Sequence, residues 1–211
     1  MKRLILCIAF LALWTTTIVA QTFTVTVIPD SVFARMRGWS YPEDCTVARA
    51  DLRYLRISHW SSESEERVGE MVCNKAIAQE LLDIFRQLYK VHYVIESLRL
   101  IDDFEADDER SMRANNTSCF CYRRVAGSQK LSRHALGMAV DVNPLYNPCV
   151  RIKAGGQRTV QPATATPYAD RRGKFPQKIS KSDLAYRLFT SHGFRWGGVW
   201  RSVKDYQHFE K

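Results

Sequence analysis

The chain contains five histidines, His59, His92, His134, His192 and His208, and two of them stand in dense polar settings. The first setting is Ser132-Arg133-His134-Ala135-Leu136-Gly137-Met138-Ala139-Val140-Asp141, and the second is Asp205-Tyr206-Gln207-His208-Phe209-Glu210. Asp141 is flanked by Met138, Ala139, Val140 and Val142. A carboxylate among such neighbours is costly to bury unless it is paired or bound to a metal. His134 precedes it by seven residues, and on one straight strand an odd offset sends two side chains to opposite faces. Gly137 offers a bend that brings them back together. An imidazole nitrogen and a carboxylate oxygen can then share one cation. A surface hairpin with an aspartate turn is the competing reading of this motif alone. His208 supplies a third donor, with Asp205 three residues before it. A catalytic zinc takes three protein ligands and keeps one position open for water. It lowers the pKa of that water from ~15.7 toward ~7. A carboxylate off the metal then takes the proton and returns it to the leaving amine. His134, Asp141 and His208 as ligands to one Zn2+ per chain, with Asp205 as base, fill these roles. Asp205 as an ordinary loop acid is the alternative.

A hydrolysis of this kind also needs a cation for the oxyanion or for a substrate carboxylate. Arg123, on the expected strand around Phe120-Cys121-Tyr122-Arg123, fits that need, with Arg124 on the opposite face. Upstream of Asp205 stand Trp196, Gly197, Gly198 and Trp200. The glycines would let a peptide backbone approach closely and Trp200 would form a wall; a packed aromatic corner is an equal alternative. His59, His92 and His192 have no partner pattern and are assigned to structure. His192 falls at a helix end, where a cation is favourable.

The elements that must position these residues read as a mixture. Phe23 to Ile28, Leu52 to Trp60 and Arg67 to Cys73 are expected strands, the last two forming a hairpin across polar Ser61 to Glu66. Lys75 to Val91 carries Ile77, Leu81, Phe85 and Leu88 on one helical face, with Asn74 as the expected N-cap. Tyr93 to Ile101, Thr117 to Val125 and Met138 to Val142 read as further strands. Asp102 to Glu109 holds six acids and reads as a solvated loop, with a calcium site as the lesser alternative. Asn147 to Gln177 reads as a long surface loop that could lie over the site. Ser182 to His192 is a second helix, stopped by Gly193. The sum is a single α+β domain with a mainly antiparallel sheet and flanking helices.

At the N-terminus, Lys2 and Arg3 precede an apolar run from Leu4 to Trp14, and the stretch closes on Ile18-Val19-Ala20. This is the layout of a secretory signal, with cleavage expected after Ala20 and no stable membrane insertion of the mature chain. A retained anchor is the competing reading. The expected organisation is a signal peptide over 1–20, an N-terminal extension over 21–50 and the catalytic domain over 51–211. Export, to a periplasm or to the medium, would permit disulfides among Cys45, Cys73, Cys119, Cys121 and Cys149, an odd number that leaves one unpaired. Cys119-x-Cys121 lacks the spacing of a structural zinc pair, so these cysteines read as structural or disulfide-forming rather than as ligands. The formal charge of +9, or +7 without Lys2 and Arg3, suits approach to polyanionic polymers. The charge is dispersed and no nucleic-acid motif is present, so nucleic acid is not expected as a partner.

The pattern S-x-H-x-x-G-x-A-x-D followed far downstream by D-x-x-H resembles the M15 metallopeptidases. It stands here as Ser132, His134, Gly137, Ala139 and Asp141 with Asp205 and His208. The stretch Ser111 to Arg123, Asn143-Pro144 and Trp196-Gly197-Gly198 resemble the D-alanyl-D-alanine carboxypeptidase-like branch. The likeness runs from about Leu52 to the C-terminus. It implies a compact α+β fold shared with the hedgehog signalling domain, and zinc on His134, Asp141 and His208. It also implies Asp205 as catalytic base, where many carboxypeptidase members carry glutamate and the endopeptidase branch carries aspartate. Arg123 would steady substrate or intermediate, and Ser132 would line the site. The substrates implied are peptidoglycan stem peptides, cut as a D-Ala-D-Ala carboxypeptidase or as an L-Ala-D-Glu type endopeptidase. A non-catalytic zinc-containing module that binds cell-wall peptides is the alternative.

Overall fold

A computed structural model describes residues 21–125, 127–152 and 155–211. The expected signal peptide, 1–20, lies outside the described residues. The chain forms an α+β domain of three small sheets, every ladder antiparallel. No helix among the described residues is long and apolar enough to cross a membrane.

The first sheet joins β1 (Phe23–Thr26), β2 (Leu52–Trp60) and β3 (Glu66–Asn74). Between β1 and β2, the helix α1 (Asp30–Met36) turns Val32 and Met36 inward, and with Ile28 they pack on Leu52, Val72, Leu100 and Phe120. Residues 21–36 are therefore built into the sheet and its back face. The hairpin β2–β3 runs in unbroken register from Leu52 opposite Asn74 to Trp60 opposite Glu66. α2 (Ala78–Lys90) follows, burying Leu81, Leu82, Phe85 and Leu88. Four or so apolar residues at helical spacing give a stripe wide enough to cover the sheet. Asn74 is not its N-cap. Its Oδ1 accepts from the Ala76 amide at 3.0 Å in a turn ahead of the helix, and its Nδ2 donates to the Leu136 carbonyl at 3.1 Å.

Tyr93 to Ile101, expected as a strand, is extended but joins no ladder. Single bridges tie Val94 to Trp60 and Ser97 to Asn116, and a 3₁₀ turn begins at Ile101. Thr117 to Val125 likewise makes isolated bridges, Ser118 to Asp141 and Arg124 to Leu131. The acids at 102–109 are not a solvated loop. They fall in the 3₁₀ turn Ile101–Phe104 and at the start of α3 (Asp108–Arg113), where Asp107 Oδ1 caps the Arg110 amide at 3.1 Å. Asp103, Glu105, Asp108 and Glu109 each pair with an arginine, so these acids do not converge as a calcium site would.

The second sheet has the order β4 (Ala139–Asp141), β9 (His208–Glu210) and β7 (Arg195–Trp196). The third has β6 (Arg158–Gln161), β5 (Cys149–Ile152) and β8 (Val203–Asp205). β5, β6 and a 3₁₀ helix, Ala163–Ala169, occupy the stretch expected to be a long loop. Its alternation was masked by the Gly- and Pro-rich residues around it. α4 (Leu184–Ser191) is capped by Asp183, whose Oδ1 accepts from the Ala185 amide at 2.9 Å. One core joins α2, α4 and the first two sheets, with Phe209 of β9 stacked on Phe189 of α4 at 4.3 Å between ring centroids.

Candidate active site

Strand alternation sorts the residues of the second sheet. Val140 and Phe209 point into the core, both fully buried, while their neighbours Asp141 and His208 point the other way into a cleft of about 510 Å³. Asp141 and His208 are register partners across β4 and β9. Asp141 is held further by Ser118: its amide donates to the Ser118 carbonyl at 3.0 Å.

His134 reaches the same place from a single 3₁₀ turn, His134–Leu136. Ser132 Oγ accepts from the His134 amide at 3.2 Å and so caps that turn. Gly137 closes it at φ +64, and a Cβ there would stand 2.6 Å from the Asn74 amide nitrogen. The turn is thus pressed against the end of β3 and pinned by Asn74, which donates from its backbone to the Gly137 carbonyl at 2.9 Å and from its side chain to Leu136. The bend expected at Gly137 is the device that returns His134 to the face of Asp141.

The three side chains converge. Asp141 Oδ2 lies 3.3 Å from His134 Nε2, Asp141 Oδ1 lies 3.0 Å from His208 Nδ1, and the two imidazole nitrogens are 3.2 Å apart. One donor atom from each falls within 4.8 Å of the others. The outer nitrogens fix the tautomers. His134 Nδ1–H donates to the Cys119 carbonyl at 2.7 Å, which leaves Nε2 as a lone pair facing Asp141. His208 Nε2 lies 3.3 Å from Glu210 Oε2, and Glu210 is held in turn by Arg195 at 2.7 Å. Outer hydrogen bonds of this kind orient metal-binding histidines and raise their basicity. Two imidazole nitrogens and a carboxylate oxygen, so backed, fit the donor set of a zinc ion.

The electrostatics point the same way. Burial pulls the His208 imidazolium down, but Asp141 and Glu210 outweigh it and push its pKa to about 10. Burial would lift the Asp141 carboxyl, yet His134 and His208 hold it well below the usual carboxylate range. The pair of carboxylates around His208 stabilises positive charge at this point.

Asp205 opposes Cys149 across β8 and β5, in the wall beside His208. Its Oδ1 is buried with no hydrogen-bond partner among the described residues. Burial lifts its pKa to about 6, against the pull of His208. Gly197 lies directly behind it: a Cβ there would stand 2.7 Å from the Asp205 carbonyl oxygen and 2.8 Å from its Cβ. The close approach expected at this glycine is made by the chain's own strand, not by a substrate. Trp200 lines the cleft with its ring 5.2 Å from that of His208, whereas Trp196 is buried and donates from Nε1 to the Tyr206 carbonyl.

Arg123 lines the cleft half-buried, with Nε 2.7 Å from Asp108 Oδ2. Ser132 is also in the lining. The other histidines lie elsewhere. His59 Nδ1 bonds the Ile95 carbonyl at 2.7 Å, His92 stacks on Trp60, and His192 caps α4. All five described cysteines are free thiols, four of them buried. Asp108, Glu210, Arg151 and Cys149 were missed as cleft residues. Glu210 was within reach, since two residues from His208 on a strand means the same face. The others carry no local signal, because they meet the site only through folding.

With this geometry in place, residues 126–211 match a family model described as D-alanyl-D-alanine carboxypeptidase. The match supports an M15 family peptidase. The matched span carries Ser132, His134, Asp141, Trp200, Asp205 and His208, while Arg123 and Asp108 precede it. At the level of the family it supports a peptidase that acts on cell-wall peptides. No curated protein and no solved structure matches the chain.

Proposed function

We propose that this chain is an exported, zinc-dependent peptidase that hydrolyses a peptide bond in peptidoglycan stem peptides. The observation that carries the reading is the convergence of His134, Asp141 and His208 beside a buried, unpartnered Asp205 oxygen in one cleft. His134 through Nε2, His208 through Nδ1 and Asp141 would hold the ion. A zinc ion held there supplies Lewis acidity, acidifying water and polarising a carbonyl.

The chain's own residues would do the rest. Asp205 Oδ1 accepts a proton from the attacking water and returns it to the leaving amine, as general base and then general acid. A carboxyl whose pKa is lifted to about 6 suits both halves of that exchange better than an ordinary aspartate. Arg123, oriented by Asp108, offers positive charge to the developing oxyanion. Trp200 forms an apolar side to the cleft. The basic mature chain, at +7 without Lys2 and Arg3, favours approach to an anionic wall polymer over a neutral one.

Incubation of the purified protein with defined muropeptides, with products read by mass spectrometry, tests this reading. Chelation is expected to abolish cleavage and added zinc to restore it. Loss of a single alanine marks carboxypeptidase action, and release of a longer tail marks an endopeptidase. Binding of muropeptides without any cleavage would replace the peptidase by a binding module. The export step predicts a mature N-terminus at Gln21.

A further inference from the structure

The charged side chains of the cleft divide unequally. Of its acids, Asp108 is taken by Arg123, Glu109 by Arg113 and Glu210 by Arg195, while Asp141 faces the two histidines. Of its cations, Arg123 is engaged by Asp108, while Lys130 and Arg133 line the cleft with no ion pair to an acid among the described residues. Arg151 also lines the cleft, half-buried, and makes no hydrogen bond or ion pair with any acid among the described residues.

The place of Arg151 is set by register. Cys149 of β5 stands opposite Asp205 of β8, and Arg151 is two residues further along β5, opposite Val203. Two residues along a strand restore the same face and advance the chain by roughly 6.5 Å. Cys149 and Arg151 both line the cleft, and between them Val150 is buried on the other side. Arg151 therefore presents a guanidinium one step beyond Asp205, on the wall that carries the proton donor to the leaving amine. A carboxylate on the leaving residue is the group this geometry would meet. The guanidinium fork binds carboxylates in a bidentate, charge-assisted way that a neutral amide cannot reproduce.

Resting on the peptidase reading above, we propose that Arg151 is a specificity-determining residue that binds the free carboxylate on the leaving side of the substrate. It selects peptides cut next to their C-terminus. Arg123, already tied to Asp108, is left to the reacting carbonyl. The two arginines thus serve different ends of the scissile bond.

The test compares one synthetic stem peptide ending in D-alanyl-D-alanine as the free acid and as the C-terminal carboxamide. Binding to the full mature chain is measured by titration calorimetry, and cleavage is followed separately. The wild-type protein is expected to bind the acid about tenfold or more tightly than the amide. Arg151→Gln should remove that preference by weakening the acid alone, and Arg151→Lys should keep part of it. Equal affinities in the wild type, or a preference that survives in Arg151→Gln, would overturn the assignment. A preference that depends on Arg151 without any hydrolysis would instead defeat the peptidase reading and leave the carboxylate site standing. Equal circular dichroism and melting of the variants separates lost recognition from lost folding.

Discussion

At the scale of single residues, the site depends on atoms that do not themselves hold the ion. Glu210 lines the cleft on the same face as His208, and its carboxylate beside Nε2 sets which nitrogen of His208 carries the proton. Glu210→Gln keeps a hydrogen-bond acceptor but removes the charge. Zinc affinity, read by competition with a chromophoric chelator, should fall by about 10–100-fold while the fold persists. An unchanged affinity would mean that the His208 ring is held by packing alone. Asp205 makes a second prediction. Its pKa is lifted to about 6 by burial, and a cation on His134, Asp141 and His208 can only draw it down. Asp205 must be ionised to accept a proton, so kcat/KM should fall with decreasing pH, with a midpoint at or below about 6. Asp205→Asn should bind zinc normally and lose roughly 10²–10⁴ in turnover. An acid limb that persists unaltered in its residual rate would take Asp205 out of the mechanism.

At the scale of elements, the site is made by contacts between short pieces of chain that are weak alone. β8 and β9 have three residues each, and their position comes from what they rest on. Gly197 is the clearest support, because any side chain there collides with backbone and Cβ atoms of Asp205 that have little freedom to move. Gly197→Ala is expected to lower activity more than tenfold by displacing Asp205, with about 1–3 kcal/mol lost in stability. Kinetics and thermal melting on the same preparation check both. Full activity would show that β8 tolerates the shift. This is also where the sequence was least and most readable. The turn at Gly137 was legible, because an odd spacing between His134 and Asp141 demands a bend and only one residue between them supplies it cheaply. The hairpin of β2 and β3 and the helix α2 were legible from their periodicity. The strands β5 and β6 were not, because four residues of alternation between glycines and prolines resemble a loop until β8 arrives to pair with them. The segments 93–101 and 117–125 have strand-like composition but lie where single bridges, not ladders, satisfy the backbone. Composition does not record which neighbour a strand will find.

At the scale of the whole molecule, acid should destabilise the fold through a residue far from the chemistry. His59 is buried on β2, bonded to the Ile95 carbonyl, and burial lowers its pKa. The unfolded chain takes up a proton there below ~6.5, while the folded chain resists it. Stability is therefore full above that pH and declines as pH falls from it toward the lowered folded value, and His59→Gln should flatten this part of the profile. The cation site makes a larger claim on the molecule. Asp141 and His208 lie on neighbouring strands of one sheet, but His134 sits on a turn that Asn74 ties to the end of β3 in another. An ion shared by the three would bridge the two sheets in the folded state and find no such cluster in the unfolded chain. Free zinc at a hundred times its dissociation constant should then stabilise the protein by about 2.7 kcal/mol, rising with concentration. Differential scanning calorimetry of the metal-free chain, titrated with zinc, reads this directly. His134→Ala should melt at the same temperature with or without zinc. If that variant is stabilised as much as the wild type, the ion binds elsewhere, and the two sheets are joined at this point by the Asn74 hydrogen bonds and packing.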